Sequence, residues 1–341
     1  MAMLEVDNLK TYFDTPEGVV RAVDGVSFSL EPGQTLGIVG ESGSGKSVTA
    51  LSVMRLNPSP PCYHPEGEIH FEGENLLKAS EQRMQRVRGN DIAAIFQDPM
   101  TSLNPVFTVG GQIAEAIRVH QDVTKTEARQ QAVQVLRDVG IPSPETRARD
   151  YPHQFSGGMR QRAMIAMALG CNPKVLIADE PTTALDVTIQ AQILTLMADL
   201  QERHGTAIIM ITHDLGVVAK LADKVMVMYA GRAVEYGPTD PVFYDPLMPY
   251  TWSLLKSLPR LGAGKAPLHP IKGQPPSLIN LPTGCSFSPR CPAVRDQCHE
   301  IDPPLEEKRL GHSAACILSA DETARSRRES TEQQDAEGHA L

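Results

Sequence analysis

The run Gly40-Glu41-Ser42-Gly43-Ser44-Gly45-Lys46-Ser47 limits the fold of this chain more than any other stretch. It fits the pattern Gly-x-x-x-x-Gly-Lys-Ser/Thr. A short apolar strand, Leu36 to Val39, runs into it, and Ser47 to Leu56 reads as a helix leading out. Glycines let the backbone curl until several N–H groups converge on an anion. The helix N-terminus adds a partial positive charge at the same point. Gly40, Ser42, Gly43, Ser44 and Gly45 would form the cradle for a nucleotide's phosphates. Lys46 would reach the β- and γ-phosphates, and the Ser47 hydroxyl would bind Mg²⁺. Such a loop requires a strand, a tight turn and a helix in sequence, which is the unit of an α/β fold.

A second stretch supplies the carboxylates that phosphoryl chemistry needs. Val175-Leu176-Ile177-Ala178-Asp179-Glu180 is an apolar strand ending in two acids. Asp179 is placed to hold Mg²⁺, directly or through water. Glu180, one residue further on, is the candidate general base for an attacking water. Other short apolar runs read as strands at Ile92 to Gln97, Ala207 to Thr212 and Val225 to Tyr229. Strands without polar alternation belong to a parallel sheet covered on both faces.

The chain begins with strand-like segments, Met3 to Leu9 and Val19 to Leu30. From Val109 to Met167 the spacing is helical, with Ile113, Ala116 and Ile117 on one face and Ala132, Val135, Leu136 and Val139 on another. This reads as a helical insertion. After Gly262, Pro, Gly and Cys dominate; from Ser319 the chain is polar and mixed in charge, and a disordered tail is expected. The 341 residues carry 32 basic and 41 acidic side chains, so a generic nucleic-acid binder with its basic face is not expected. Apolar runs such as Ala163 to Leu169 fall far short of the ~20 residues that span a bilayer. The N-terminus lacks the basic-then-apolar pattern of a signal peptide. A cytosolic chain, or one attached to a membrane through a partner, is expected.

Between the two acid-and-loop elements lies Phe155-Ser156-Gly157-Gly158-Met159-Arg160-Gln161-Arg162. Ser156 is a good N-cap, and the glycines allow close backbone approach, so this is a second anion-binding helix terminus. The segment resembles the signature of ABC ATPases. In that family two ATPase domains pair head to tail, and the resemblance implies that Ser156, Gly157 and Gly158 cap a γ-phosphate held by the partner. Other matches follow in order: Gln97 resembles the Q-loop glutamine, a further Mg²⁺ and water contact, and Asp186 of Ala184-Leu185-Asp186 resembles the D-loop. His213 resembles the switch histidine, which would contact the γ-phosphate, and Phe13, with Tyr12 as a rival, resembles the aromatic that stacks on adenine. The resemblance covers roughly residues 4 to 250. Phe155 and Met159 depart from the usual Leu and Gln, but the phosphate contacts come chiefly from Ser156 and the glycine backbone. The implied fold is a P-loop NTPase (RecA-like) core with a mostly parallel sheet. It carries an N-terminal antiparallel β subdomain, an inserted helical subdomain at about 98–172, and a small Cys-containing C-terminal region. The expected division is an ATPase domain over 1–260, the cysteine region over 261–318 and the tail over 319–341.

A sharper resemblance is to ATPase subunits of di- and oligopeptide importers, with nickel and glutathione importers as close relatives. Four stretches carry it: Gly40 to Ser47 with its preceding Leu-Gly-Ile-Val, Phe96 to Pro105, Pro181 to Thr188, and Pro249-Tyr250-Thr251. It implies ATP hydrolysis that drives uptake at the cytoplasmic face of the inner membrane, by a peripheral subunit. The implied partners are a paralogous second ATPase subunit (a homodimer remains the alternative), two transmembrane permease subunits and an extracytoplasmic substrate-binding protein. The stretch Met100 to Pro105, with Leu103 in it, is the expected contact with a permease helix. A soluble ABC ATPase acting on DNA or ribosomes is the other reading, and the chain shows neither heptads nor a second phosphate loop. Cysteines recur as Cys285-x5-Cys291-x6-Cys298-x17-Cys316, and Pro289-Arg290-Cys291-Pro292 resembles the importers' C-terminal motif. Four thiolates can hold a 4Fe–4S cluster or zinc, with free thiols or disulfides as the remaining choice. The family resemblance implies the 4Fe–4S cluster.

Overall fold

A computed structural model of the chain describes residues 2–96, 102–182, 187–257 and 270–338. β1 (Leu4–Thr15) and β2 (Gly18–Leu30) form a long antiparallel hairpin, paired from Leu4 opposite Leu30 to Thr15 opposite Gly18 with register shifts between Val6 and Tyr12. β3 (Thr35–Val39) then leaves for a second sheet. The chain returns to the first with β4 (Cys62–Tyr63), β5 (Glu68–Phe71) and β6 (Glu74–Asn75), all antiparallel. Leu4, Val6 and Leu9 of β1 and Val23, Val26 and Phe28 of β2 turn inward and are buried. This is the antiparallel β subdomain expected at the N-terminus.

In the second sheet β3, β7 (Ile92–Ile95), β8 (Val175–Asp179), β9 (Ala207–Ile211) and β10 (Lys224–Tyr229) run parallel, in the order β10-β3-β9-β8-β7. Every residue of β3 and β9 is buried, as a strand covered on both faces demands. Beyond β10 the pairing turns antiparallel. β11 (Arg232–Pro238) joins β10, and the C-terminal region supplies β12 (Glu306–Arg309) and β13 (His312–Ala314), with β13 on β11.

α1 (Lys46–Val53) follows the glycine-rich loop, and α2 (Glu81–Val87) is capped by the Ser80 side chain. The insertion packs α3 (Val109–His120), α4 (Lys125–Asp138) and α5 (Gly157–Leu169) together. Thr108 caps α3, and Thr124 with Glu127 forms a capping box on α4, so local sequence sets where each begins. Val109, Ile113 and Ile117 are fully buried at a spacing of four, each contributing ~1.5–3 kcal/mol relative to exposure. α6 (Val187–His204), α7 (Leu215–Leu221) and α8 (Pro249–Lys256) complete the core. The stretch after Ser319 differs from expectation: it is a helix, α9 (Ala320–Gly338). Ser319 caps it by accepting from Glu322 N, while Leu318 and Thr323 are buried. A polar composition concealed a helix with only a narrow packed face.

One buried carboxylate ties the C-terminal strands to the core. Glu235 of β11 is fully buried and accepts from Leu247 N at 2.6 Å and Met248 N at 3.1 Å. His312 Nε2 of β13 lies 2.7 Å from the same carboxylate. Glu235→Ala would strand two N–H groups and the imidazole, and should cost about 3–5 kcal/mol. Urea unfolding of the two proteins measures it; a loss below about 1 kcal/mol would show that the groups find other partners.

Candidate nucleotide site

β3 ends at Val39 and α1 starts at Lys46, so the glycine-rich loop is the whole link between them. Two glycines decide its path. Gly40 has φ 152° and Gly45 φ 102°. A Cβ on Gly40 would lie 2.2 Å from Met228 O of β10, and one on Gly45 2.3 Å from Ala22 O of β2. The loop is therefore pressed against backbone from both sheets, and no side chain fits at either place. The Lys46 ammonium folds back and donates to Gly40 O and Glu41 O, both at 2.8 Å. Burial lowers its pKa, while the carboxylates of Glu180, Asp179 and Glu41 oppose that shift. All three acids therefore act on one ammonium.

The structure brings Ser47, Asp179, Glu180 and His213 to the same place. The Ser47 hydroxyl donates to the Asp179 carboxylate, whose pKa burial nonetheless raises. A hydroxyl and a carboxylate in contact are the hard oxygen donors that suit Mg²⁺. Glu180 follows β8 in the left-handed region, φ 49°, with its N–H on Ile211 O at 2.8 Å. A non-glycine residue there is strained, and such strain gathers at functional sites. Its carboxylate, 18% exposed, lies 3.3 Å from Nδ1 of His213, whose side chain is 67% exposed. Asp214 beside it caps α7 through Gly216 N and Val217 N, fixing where His213 projects.

Other expected site residues lie elsewhere or beyond the described set. Ser156 caps α5 and accepts from Met159 N at 3.3 Å, and a Cβ on Gly158 would lie 3.3 Å from Ile189 Cγ2. The contacts of this terminus are thus with its own helix and with α6. A Cβ on Gly157 or on Gly43 would meet open space. Ser42 is exposed at the loop tip, and Ser44 is buried. Tyr12 donates its hydroxyl to Asp24 at 2.7 Å, and burial with this bond pushes its pKa up to about 12. Phe13, its strand neighbour, points to the opposite face and has no such commitment. Gln97 and Asp186 lie outside the described residues. Leu103, expected to face a permease, is instead 2% exposed within the helical core; Val106 and Phe107 are the exposed apolar pair, at 69% and 55%.

The cysteine expectation needs correction. Cys285, Cys291, Cys298 and Cys316 do line one cavity, but it measures only about 20 Å³ and is walled by Met248, Pro249 and Leu318. Among the described residues no group of three or more His, Cys, Asp or Glu is arranged to hold a metal ion. Neither the 4Fe–4S cluster nor zinc fits. Burial among apolar side chains pushes the Cys291 thiol up to about 12 and Cys316 to about 11. All six cysteines are free; Cys285, Cys291 and Cys316 pack against the apolar core, and Cys298 is buried.

Sequence reasoning also missed what surrounds Glu41. Its carboxylate is paired with Arg290 at 2.7 and 2.9 Å, and its N–H donates to the Tyr250 hydroxyl at 2.9 Å. Tyr250 and Arg290 sit in the stretches Pro249-Tyr250-Thr251 and Pro289-Arg290-Cys291-Pro292, so the signal was a shared motif with no assigned role.

A family model described as ABC transporter matches residues 23–183, and one described as the C-terminal region of oligopeptide/dipeptide transporters matches residues 234–298. An oligopeptide transport ATP-binding protein of Bacillus subtilis is 57% identical over 89% of this chain and 85% of its own length. An oligopeptide transport ATP-binding protein of Salmonella typhimurium is 51% identical over 94% of this chain and 95% of its own. The solved dimeric structure of a bacterial ABC transporter cassette superposes with a TM-score of 0.63 at 26% identity, covering 70% of this chain and 99% of that one. The chain belongs to the ABC transporter family, among its peptide-transport ATP-binding proteins. It is an ATPase of the α/β cassette fold.

Gly45→Ala tests the loop geometry. The new methyl would collide with the Ala22 carbonyl at a positive φ, so ATP affinity should fall at least ~10-fold through displacement of the loop. Equilibrium binding of ATP measures this, and unchanged affinity would mean that the loop moves without cost.

Proposed function

We propose that this chain is the ATP-hydrolysing subunit that energises uptake of di- and oligopeptides across a cytoplasmic membrane. The observation that carries it is identity of 51–57% over about nine-tenths of the chain to oligopeptide transport ATP-binding proteins. The match of residues 234–298 to the peptide transporters' C-terminal region supports the same cargo. In this reading the chain divides into an ATPase domain over 1–260 and a C-terminal region over 261–318; the match to the C-terminal family model begins earlier, at residue 234.

In this reading the loop N–H groups from Gly40 to Gly45 hold the phosphates, and Lys46 turns from the loop carbonyls to the β- and γ-phosphates. Phe13 stacks on adenine. Ser47 and Asp179, with Gln97, would hold Mg²⁺, which when bound would offset the charge of the phosphates. Glu180 takes a proton from a water whose oxygen attacks the γ-phosphorus in line. The bond from that phosphorus to the β–γ bridging oxygen breaks, and ADP leaves with the electron pair. Lys46 and His213 stabilise the charge that develops on the phosphoryl oxygens. Ser156, Gly157 and Gly158 close on the nucleotide of a second ATPase subunit, a paralogue or a second copy, with Asp186 at the dimer contact. Their freedom from contacts with the chain's own phosphate loop supports this. No helix among the described residues is long and apolar enough to cross a membrane. In this reading two permease subunits span the membrane, this chain sits on their cytoplasmic side as a peripheral subunit, and an extracytoplasmic binding protein selects the peptide.

Glu180→Gln keeps the shape and removes the base. Turnover should fall by about 10²–10⁴-fold while ATP binding persists and a closed dimer accumulates. ATPase assays with size-exclusion chromatography read both, and normal turnover would exclude Glu180 as the base. For the permease contact, the exposed pair replaces Leu103. Phe107→Asp should abolish peptide uptake by the assembled transporter and leave ATP binding by the isolated chain intact. Unaltered uptake would move the contact elsewhere.

A further inference from the structure

Glu41 is an unusual neighbour for a phosphate site. It is the second residue of the loop, and its charge acts directly on Lys46. A carboxylate there repels an incoming polyphosphate and competes for the ammonium meant to receive it. The structure supplies an answer from 249 residues further along the chain. Arg290 meets Glu41 through both of its terminal nitrogens, one to each carboxylate oxygen, at 2.7 and 2.9 Å. This is the paired, planar contact that guanidinium makes best. The Arg290 side chain is only 4% exposed. Its remaining donors reach Lys272 O at 3.1 Å, Ile271 O at 3.5 Å and the Tyr229 hydroxyl at 3.3 Å. Arg290 thus joins two separate C-terminal stretches to the loop.

A second contact fixes the same residue by its backbone. Glu41 N–H donates to the Tyr250 hydroxyl at 2.9 Å. Tyr250 is fully buried against Tyr229 and Phe287, with ring centroids 4.6 and 5.3 Å away. The guanidinium lies 5.8 Å over the Tyr229 ring. Tyr229 ends β10, whose Met228 carbonyl walls Gly40. Loop, sheet and C-terminal region therefore meet around one charged pair.

We propose that Arg290 is a positioning residue of the phosphate loop. It neutralises and holds Glu41 so that Lys46 stays available to phosphate, and it makes nucleotide affinity depend on the seating of the C-terminal region. The idea deepens the ATPase reading and rests on it.

Equilibrium binding of a non-hydrolysable ATP analogue with Mg²⁺ to the full chain tests it. Arg290→Ala should raise the Kd by about 10- to 100-fold, the range for losing charged hydrogen bonds, with little change in kcat at saturating ATP. Arg290→Lys keeps the charge without the paired geometry and should fall between. Glu41→Gln keeps an acceptor without the charge and should bind at least as tightly as the wild type. The double variant Glu41→Gln with Arg290→Ala should regain most of the lost affinity, which a merely structural defect would not do. Unchanged affinity in Arg290→Ala overturns the proposal. So does a folded double variant as weak as Arg290→Ala, or a tenfold loss in Glu41→Gln alone. Should Arg290→Ala fail to fold, Arg290→Lys and Glu41→Gln decide by the same criteria. A wild-type chain that binds no ATP analogue would instead overturn the ATPase reading itself.

Discussion

Everything at this site depends on a loop backbone that two carbonyl groups hold in place. Ala22 O from the antiparallel hairpin and Met228 O from the parallel sheet approach Gly45 and Gly40 so closely that a single methyl would collide. A cluster of N–H groups aimed at one point is not a low-energy arrangement for most sequences, because positive φ must recur within a few residues. Here the two sheets supply the walls and glycine supplies the permission. Removing either sheet would leave the loop without a reason to keep its shape. The antiparallel subdomain is thus part of the phosphate site's scaffold, although none of its side chains needs to touch phosphate.

The same site carries an electrostatic tension. Asp179, Glu180 and Glu41 all act on Lys46, and each has a different balancing device. Asp179 accepts from Ser47, an oxygen pair suited to a divalent cation. Glu180, itself only 18% exposed, lies beside the exposed ring of His213. Glu41 has Arg290, largely removed from solvent, so its charge is met by a fixed partner. Glu180 has an exposed imidazole beside it, whereas Glu41, whose charge would obstruct phosphate, has a buried guanidinium as its fixed partner. Burial of Arg290 is tolerable because its donors are distributed over a carboxylate, two carbonyls and a tyrosine hydroxyl.

What the sequence disclosed followed from periodicity and local geometry. The parallel strands were legible because Leu36 to Val39 and Ala207 to Ile211 are apolar without alternation. The nearness of the phosphate loop, Asp179, Glu180 and His213 was legible because they end or follow three apolar strands, β3, β8 and β9, which lie side by side in the parallel part of the sheet. Contacts between distant segments were not. Nothing local to Arg290 says that it pairs with Glu41, and nothing local to Glu235 says that it receives His312. Leu103 was misplaced because apolar character alone does not separate a docking side chain from a core one; its neighbours Val106 and Phe107 carry the exposed surface. The cysteines misled for a related reason. The four sulfurs line one small cavity, but among the described residues they are not arranged as a metal-ligand set, and sequence spacing cannot show that. The helix after Ser319 escaped notice because a narrow buried face leaves composition almost wholly polar.

These long-range contacts share a geometry. Glu235 holds β13 through His312 and also holds the Leu247 and Met248 N–H groups, which fixes where α8 begins. The Tyr250 hydroxyl, two residues on, accepts from the Glu41 backbone N–H, while Arg290, from the short 3-10 helix Ser288–Arg290, grips that residue's side chain. The antiparallel edge added by the C-terminal region is thereby continuous, bond by bond, with the second residue of the phosphate loop. A region appended only for stability would need apolar contact with the sheet, which Phe287, Ala314 and Ala315 already provide. Two directed polar contacts on the loop itself do something that apolar contact cannot. They set the position of one backbone unit to within hydrogen-bond tolerance and cancel one charge beside the lysine that must receive phosphate.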